Sequence, residues 1–153
     1  MATDSLYSTI VTKVRDLIAG LSLSGVSASN IIVTKLPWSR DYAPPASGPF
    51  IIVCREQDRI RPSTNEAYDV EYGVWVIYAA AGNQNLTGSL TTLDGWRQSI
   101  TRLFQGRSII ASMAIQEVYN CRVEAGTPEW LKGFQAQYDV GALRVIATTR
   151  EPR

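Results

Sequence analysis

The eleven residues Tyr68–Tyr78 alternate without interruption, and no other stretch constrains the fold as tightly. Val70, Tyr72, Val74, Val76 and Tyr78 fall on one face, while Glu71, Gly73, Trp75 and Ile77 fall on the other. Period-2 spacing of β-branched and aromatic side chains is what a half-buried strand needs, and a helix with this order would bury nothing coherently. The second face starts polar and turns apolar, so one end of the strand meets something other than its own core. A short apolar run, Phe50–Cys54, precedes it and extends as a strand to Arg55. The two are expected to pair antiparallel across a charged excursion, Glu56–Ala67.

Helical spacing frames this β region. Leu6, Ile10, Val14, Leu17, Ile18 and Leu21 recur every three or four residues, predicting a helix from about Asp4 to Leu21. Thr3 or Asp4 can cap it, and Gly20 sits where it should loosen. Leu90, Leu93, Trp96, Ile100, Leu103 and Phe104 mark a second helix closing near Gly106. Ile31–Thr34, Met113–Val123 and Phe134–Thr149 read as further strands. Between them lie a Ser/Gly-rich linker (Ser22–Asn30), a proline-rich loop (Lys35–Pro49) and a turn segment (Glu124–Gly133), with Arg150–Arg153 as a short tail. The order predicts an α+β fold: a single mostly antiparallel β-sheet with two α-helices packed on one face. Neither an internal repeat nor a low-complexity block interrupts it.

At 153 residues the chain is expected to be one domain, residues 1–153, burying about 70% of its unfolded surface. A formal net charge of +1 gives no electrostatic drive toward nucleic acid or membrane, so neither sequence-specific nucleic acid nor membrane is expected as a partner. Met1–Ser5 lacks the basic and apolar regions of a signal peptide, which places synthesis in the cytoplasm of the producing cell. Cys54 and Cys121 stand far apart in apolar runs and are expected to be buried thiols. The sequence contains no histidine, which removes the commonest general base and metal ligand and every Ser-His or Cys-His arrangement. Zinc ligand spacing is missing, the Gly82–Gly88 segment lacks the Gly-Lys-Ser/Thr of a P-loop, and no GxGxxG occurs. We therefore expect no enzyme, no catalytic residue, no cofactor and no metal. The carboxylate pairs Asp69/Glu71 and Glu117/Glu124 are the only alternative for chemistry, and a solvated sheet face explains them more simply.

What stands out instead is interface composition. Twelve arginines face three lysines, and arginine is enriched in protein interfaces where lysine is depleted. Trp38, Arg40 and Tyr42 lie in the proline-rich loop and Trp130 in the turn after Pro128, where large rigid aromatics serve as anchors or fold back as a lid. Arg55, Arg59 and Arg61 alternate with Glu56 and Asp58, a mixed-sign strip that suits partner registry better than phosphate binding. These seven residues are the candidate subunit or tube contacts.

The layout resembles the bacteriophage tail terminator family, the small subunits that cap the tail tube of long-tailed phages. The resemblance rests on the N-terminal helix Leu6–Leu21, then Gly48-Pro49 leading into the apolar run Phe50–Cys54, the polar excursion, and the long strand Tyr68–Tyr78. It continues through the helix around Leu93–Phe104 carrying Trp96, and the pair Ala114–Val123 and Phe134–Thr149 with Glu129 and Trp130 between them. The Lys35–Pro49 loop is longer than the family's, and the chain is not strongly acidic as some members are. The resemblance implies a virion protein that forms a homo-oligomeric ring, commonly a hexamer, at the head-proximal end of the tube. Such a ring ends tube polymerisation and joins tail to head, with the tail tube protein and a head-side connector or neck protein as partners. Alternatives are another head–tail joining or neck subunit, or a small non-catalytic binding module with a ligand groove under the long loop.

Overall fold

The alternating stretch becomes the centre of the sheet. A computed structural model describes residues 5–23, 25–33, 49–62, 66–81, 86–105, 109, 113–128 and 138–152. In chain order these form α1 (Leu6–Ala19), a 3-10 turn (Ala28–Asn30), β1 (Ile31–Val33), β2 (Phe50–Pro62), β3 (Ala67–Ala81), α2 (Leu86–Phe104), β4 (Val118–Ala125) and β5 (Tyr138–Pro152). The sheet has five strands in the order β1-β2-β3-β5-β4; only β1 and β2 run parallel. The fold is α+β, a mostly antiparallel sheet with both helices on one face.

Face assignment follows the alternation. Val70, Tyr72, Val74, Val76 and Tyr78 of β3 pack with Ile51 and Val53 of β2 and with Leu143, Val145 and Ala147 of β5. Ile10, Val11, Val14 and Ile18 of α1 and Leu93, Trp96, Ile100 and Phe104 of α2 close over them. Burying a large aliphatic or aromatic side chain contributes about 1.5–3 kcal/mol, so this layer is the main source of stability. Tyr78 lies across Gly141, its register partner on β5, so closely that a Cβ there would collide with the ring. Glycine at that site lets the aromatic ring lie flat on the neighbouring strand. The opposite face carries a second buried group, Phe50, Ile52, Cys54, Ile77, Ala79 and Ala142.

Side chain–backbone bonds position the short edge strand β1. Arg15 of α1 donates to the carbonyls of Ile31 and Ala28 at 3.2 and 2.9 Å, and Asn30 donates to the Pro49 carbonyl at 3.2 Å. These contacts hold the segment between α1 and β2, so a three-residue strand is placed without a long ladder of its own.

Several expected boundaries move. The first helix begins at Leu6 and is capped by Ser5, whose Oγ accepts the Ser8 amide at 3.1 Å; Thr3 and Asp4 lie outside the described residues. The expected strand Met113–Val123 is extended only from Val118, and Ala114 adopts a left-handed φ of 54° that breaks extended backbone. Of the last strand, expected over Phe134–Thr149, Phe134–Gln137 lie outside the described residues; from Tyr138 it runs on through Glu151 to Pro152, because β3 offers a pairing partner for every one of those residues.

The largest correction concerns Glu56–Ala67. This stretch is mostly strand: β2 continues to Pro62 and β3 begins at Ala67, with residues 63–65 outside the described residues. Arg55 pairs with Val74 but Asp58 pairs with Tyr72, so two residues of β2 oppose Gly73 alone, a β-bulge. The bulge reverses which face each later residue of β2 occupies, and that hides the strand from a period-2 reading. It also leaves backbone groups without ladder partners, and Tyr7 of α1 supplies them. Its hydroxyl accepts the Glu56 amide at 3.2 Å and donates to the Gly73 carbonyl at 2.5 Å.

Tyr7→Phe should cost about 1–2 kcal/mol, because the bulge amide and carbonyl lose their partner without any change of packing volume. Urea midpoints of the two proteins measure this, and equal midpoints would show that the hydroxyl is incidental. Burial pushes the thiols of Cys54 and Cys121 up to about 12. Neither should therefore react with Ellman's reagent at mildly alkaline pH until the protein is unfolded. Rapid labelling of the native protein would contradict the packing described.

Candidate functional site

The helix-free face of the sheet grades from apolar to charged. Residues paired across strands share a face, so register alone lays out its rows. At one end stand Phe50, Ala79 and Val140, then Ile52, Ile77 and Ala142. Next come Cys54, Trp75, Arg144 and Glu124, and beyond them Gly73, Ile146 and Arg122. The far end aligns Arg59, Glu71 and Thr148, then Arg61, Asp69 and Arg150. The apolar end is buried apart from the half-buried Val140; the charged end is half-exposed.

A chain of ion pairs crosses this charged half through four strands. Glu56 of β2 accepts from Arg144 of β5 at 2.6 Å, and Arg144 reaches Glu124 of β4 at 2.5 Å. Glu124 also accepts from Arg122 at 3.1 Å, and Arg122 extends to Glu71 of β3 at 3.4 Å. Gly73 makes the first link possible, since a Cβ there would collide with the Glu56 carboxylate. The Arg144 guanidinium stands 5.9 Å from the centre of the Trp75 ring, and its buried Nε has no hydrogen-bond partner among the described residues. A second cluster joins Asp69 to Arg150 at 3.0 Å and to the Tyr119 hydroxyl at 3.1 Å. Tyr119 reaches it because another irregularity lies between Val118 and Asn120.

These partners hold the carboxylates ionised. The hydrogen bond from Arg144, followed by that from Arg122, keeps Glu124 below its ordinary value; the bond from Arg150, opposed by desolvation and aided by Tyr119, does the same for Asp69. A general acid at neutral pH needs a raised value, which neither of these two acids has. Among the described residues no three Cys, Asp or Glu side chains are grouped to hold a metal ion. No described helix is long and apolar enough to cross a membrane.

The predicted contact residues separate. Trp38, Arg40, Tyr42 and Trp130 lie outside the described residues. Arg55, ahead of the bulge, is on the helix side, where it hydrogen-bonds the Ser8 hydroxyl and sits 4.8 Å from the centre of the Tyr7 ring. Arg59 and Arg61, beyond the bulge, are on the helix-free face opposite Glu71 and Asp69; their side chains lie outside the described set. The mixed-sign strip is thus split between two surfaces. Sequence reasoning passed over Arg122, Arg144, Arg150 and Tyr119. Their signal was the alternation Arg144, Ile146, Thr148, Arg150 along one face of β5, answering Asp69 and Glu71 in β3.

Two concave regions lie on other surfaces. A cleft of about 570 Å³ is lined by Leu6, Thr9, Tyr68, Ile115, Glu117 and Glu151, among others, at the end of the sheet where β2 turns into β3. A shallow groove of about 670 Å³ runs along α2 past Asp94, Gly95, Arg97 and Arg102. No protein-family model and no curated protein matches this chain.

A carboxylate whose folded value is depressed stabilises the fold above its unfolded value, here 4.5 for Glu124, and that contribution is lost as pH falls through the folded value. Arg144→Ala should lower stability at neutral pH by about 1–2 kcal/mol, between the worth of exposed and of buried pairs. It should also flatten the decline below pH 4.5 that the wild type shows. Urea titrations at a series of pH values test both, and an unchanged acid limb would mean that the ion-pair chain is not formed in solution.

Proposed function

We propose that the protein is a structural subunit of a phage virion that assembles into a ring, commonly a hexamer, at the head-proximal end of the tail tube. The ring ends tube polymerisation and joins the tail to a head-side connector. It acts without catalysis, cofactor or metal, and its partners are copies of itself, the tube protein and the neck.

The observation that carries this reading is the sheet's extension beyond β1. Among the described residues β1 pairs with Ile51–Val53 only, whereas β2, β3 and β5 continue as a ribbon to Pro62, Ala67 and Pro152. From Cys54 to Pro62 the outer edge of β2 has no strand partner among the described residues, about 26 Å of open edge at 3.3 Å per residue. Ile60 on this ribbon is 65% exposed, although it is opposite the buried Val70. A long ribbon with an exposed aliphatic side chain is a liability on an isolated chain and an asset where a neighbour covers it. Ring closure requires two different complementary patches on each subunit, and the open edge of β2 supplies the first of them. The α+β layout with both helices on one face agrees with the family resemblance.

A native mass spectrum over a concentration series, joined to electron microscopy of tubes grown with and without the protein, tests the reading. A closed oligomer, and tubes of limited length blocked at one end, are expected. A protein that stays monomeric and leaves tube growth unaffected would overturn the proposal. A ring of different symmetry that binds only the head-side connector would reassign it to the neck.

A further inference from the structure

Resting on the ring reading, we infer that copies join by continuing the sheet: the open edge of β2 in one subunit takes the outer edge of β4 from the next as an added strand. The directions of the backbone groups along the two edges carry this.

Those directions follow from one hydrogen bond and the register. The Arg150 amide donates to the Glu117 carbonyl at 3.1 Å, so even-numbered residues of β5 turn their backbone groups toward β4 and odd-numbered ones toward β3. In β4 the groups of Arg122 and Glu124 therefore meet Ile146 and Arg144, and those of Cys121, Val123 and Ala125 point outward. Gln105 agrees with this, because its side-chain amide reaches the Val123 carbonyl at 3.5 Å from outside the sheet. Carried across β3, the same alternation turns the backbone of Arg59 and Arg61 toward Glu71 and Asp69. The backbone groups of Asp58, Ile60 and Pro62 then point away from β3, along the open edge. Proline has no N–H to offer, and an outward position on an edge strand is where it is tolerated.

The two edges match in length, direction and character. Beyond the bulge the regular edge of β2 covers Asp58–Pro62, and past its own irregularity β4 presents Cys121–Ala125, five residues each. Three successive antiparallel pairings, β2 with β3, β3 with β5 and β5 with β4, leave β4 antiparallel to β2. A neighbour turned about an axis parallel to the strands therefore offers β4 in the antiparallel sense. Such a contact uses different edges of the two copies and is heterologous, the kind that generates rings.

Side chains favour the same join. The helix-side row Ile60, Val70, Thr149 and Val118 crosses four strands; the last three are buried, whereas Ile60 is 65% exposed. That exposure leaves this part of the β2 edge accessible. On β4, Val123 is half-buried and Ala125 exposed, both on the helix side. An added β4 sets Ile60 beside them, apolar against apolar.

Sedimentation velocity over a concentration series tests the contact with wild type, Ile60→Lys, Val123→Pro and an equimolar mixture of the two variants. Ile60→Lys puts a charge where the added strand must lie, and Val123→Pro removes an outward N–H that β5 does not use. Each should weaken association by at least about tenfold, while Ile60→Lys leaves the urea midpoint of the subunit close to wild type. Each variant keeps the edge that the other has lost, so the mixture should form a dimer that grows no further. Amide exchange in Cys54–Pro62 and Val118–Ala125 of the wild type should slow on association, which tests both edges without any substitution. Association that only one substitution weakens, or neither, would overturn this interface while leaving the ring reading intact, as would exchange that slows at one edge alone. A wild type that remains monomeric throughout would also overturn it, and the tube-growth experiment would then decide the ring reading separately.

Discussion

Tyr7 places one hydroxyl between two backbone groups that the sheet cannot pair by itself, and much of the surface depends on that contact. The extra residue in β2 opposite Gly73 would otherwise strand an amide and a carbonyl in a half-buried position. Because α1 satisfies both, the bulge is tolerated, and the bulge reverses the faces of the residues beyond it. Arg59 and Arg61 are thereby sent to the helix-free side, and Ile60 to the side of the helices. Had the strand continued without the bulge, the three would have exchanged faces, moving charge toward the core and Ile60 into the charged rows.

The charged half of the sheet is organised by the same event. Gly73 opposes the bulge and leaves room for the Glu56 carboxylate, which begins the chain of pairs through Arg144, Glu124 and Arg122 to Glu71. Exposed pairs of this kind contribute little stability singly. Their effect is on specificity, since β2, β5, β4 and β3 are cross-linked in one register and a slip of one residue would carry one partner of each inter-strand pair to the opposite face. The apolar half of the same face is buried, so the face has a packed end and a half-exposed polar end.

Much of the fold was legible because it is written at short range. The period of Tyr68–Tyr78 assigned both faces of the central strand, and the stripes of α1 and α2 named most of the helix-side core, with Val11 of α1 as an addition. Buried cysteines followed from apolar neighbours. The errors cluster where backbone irregularity breaks a period. Glu56–Ala67 read as a loop because the bulge scrambles its alternation, and Met113–Glu117 read as strand because nothing in its composition announces the left-handed turn at Ala114.

The sequence by itself determined the element types, their order, and which side of each long element is apolar, because those depend on spacings of two to four residues. Only the tertiary structure decided which charges meet. Glu56 and Arg144 are 88 residues apart, and Asp69 and Arg150 are 81 apart. Their encounter depends on strand order, on register and on the bulge. The same holds for Arg55: its neighbours in sequence suggest a strip of contacts, but its position ahead of the bulge turns it toward Tyr7 and Ser8. A one-residue change in register transfers a side chain to the opposite face, so local patterns can propose the charged groups of a surface but cannot choose their partners.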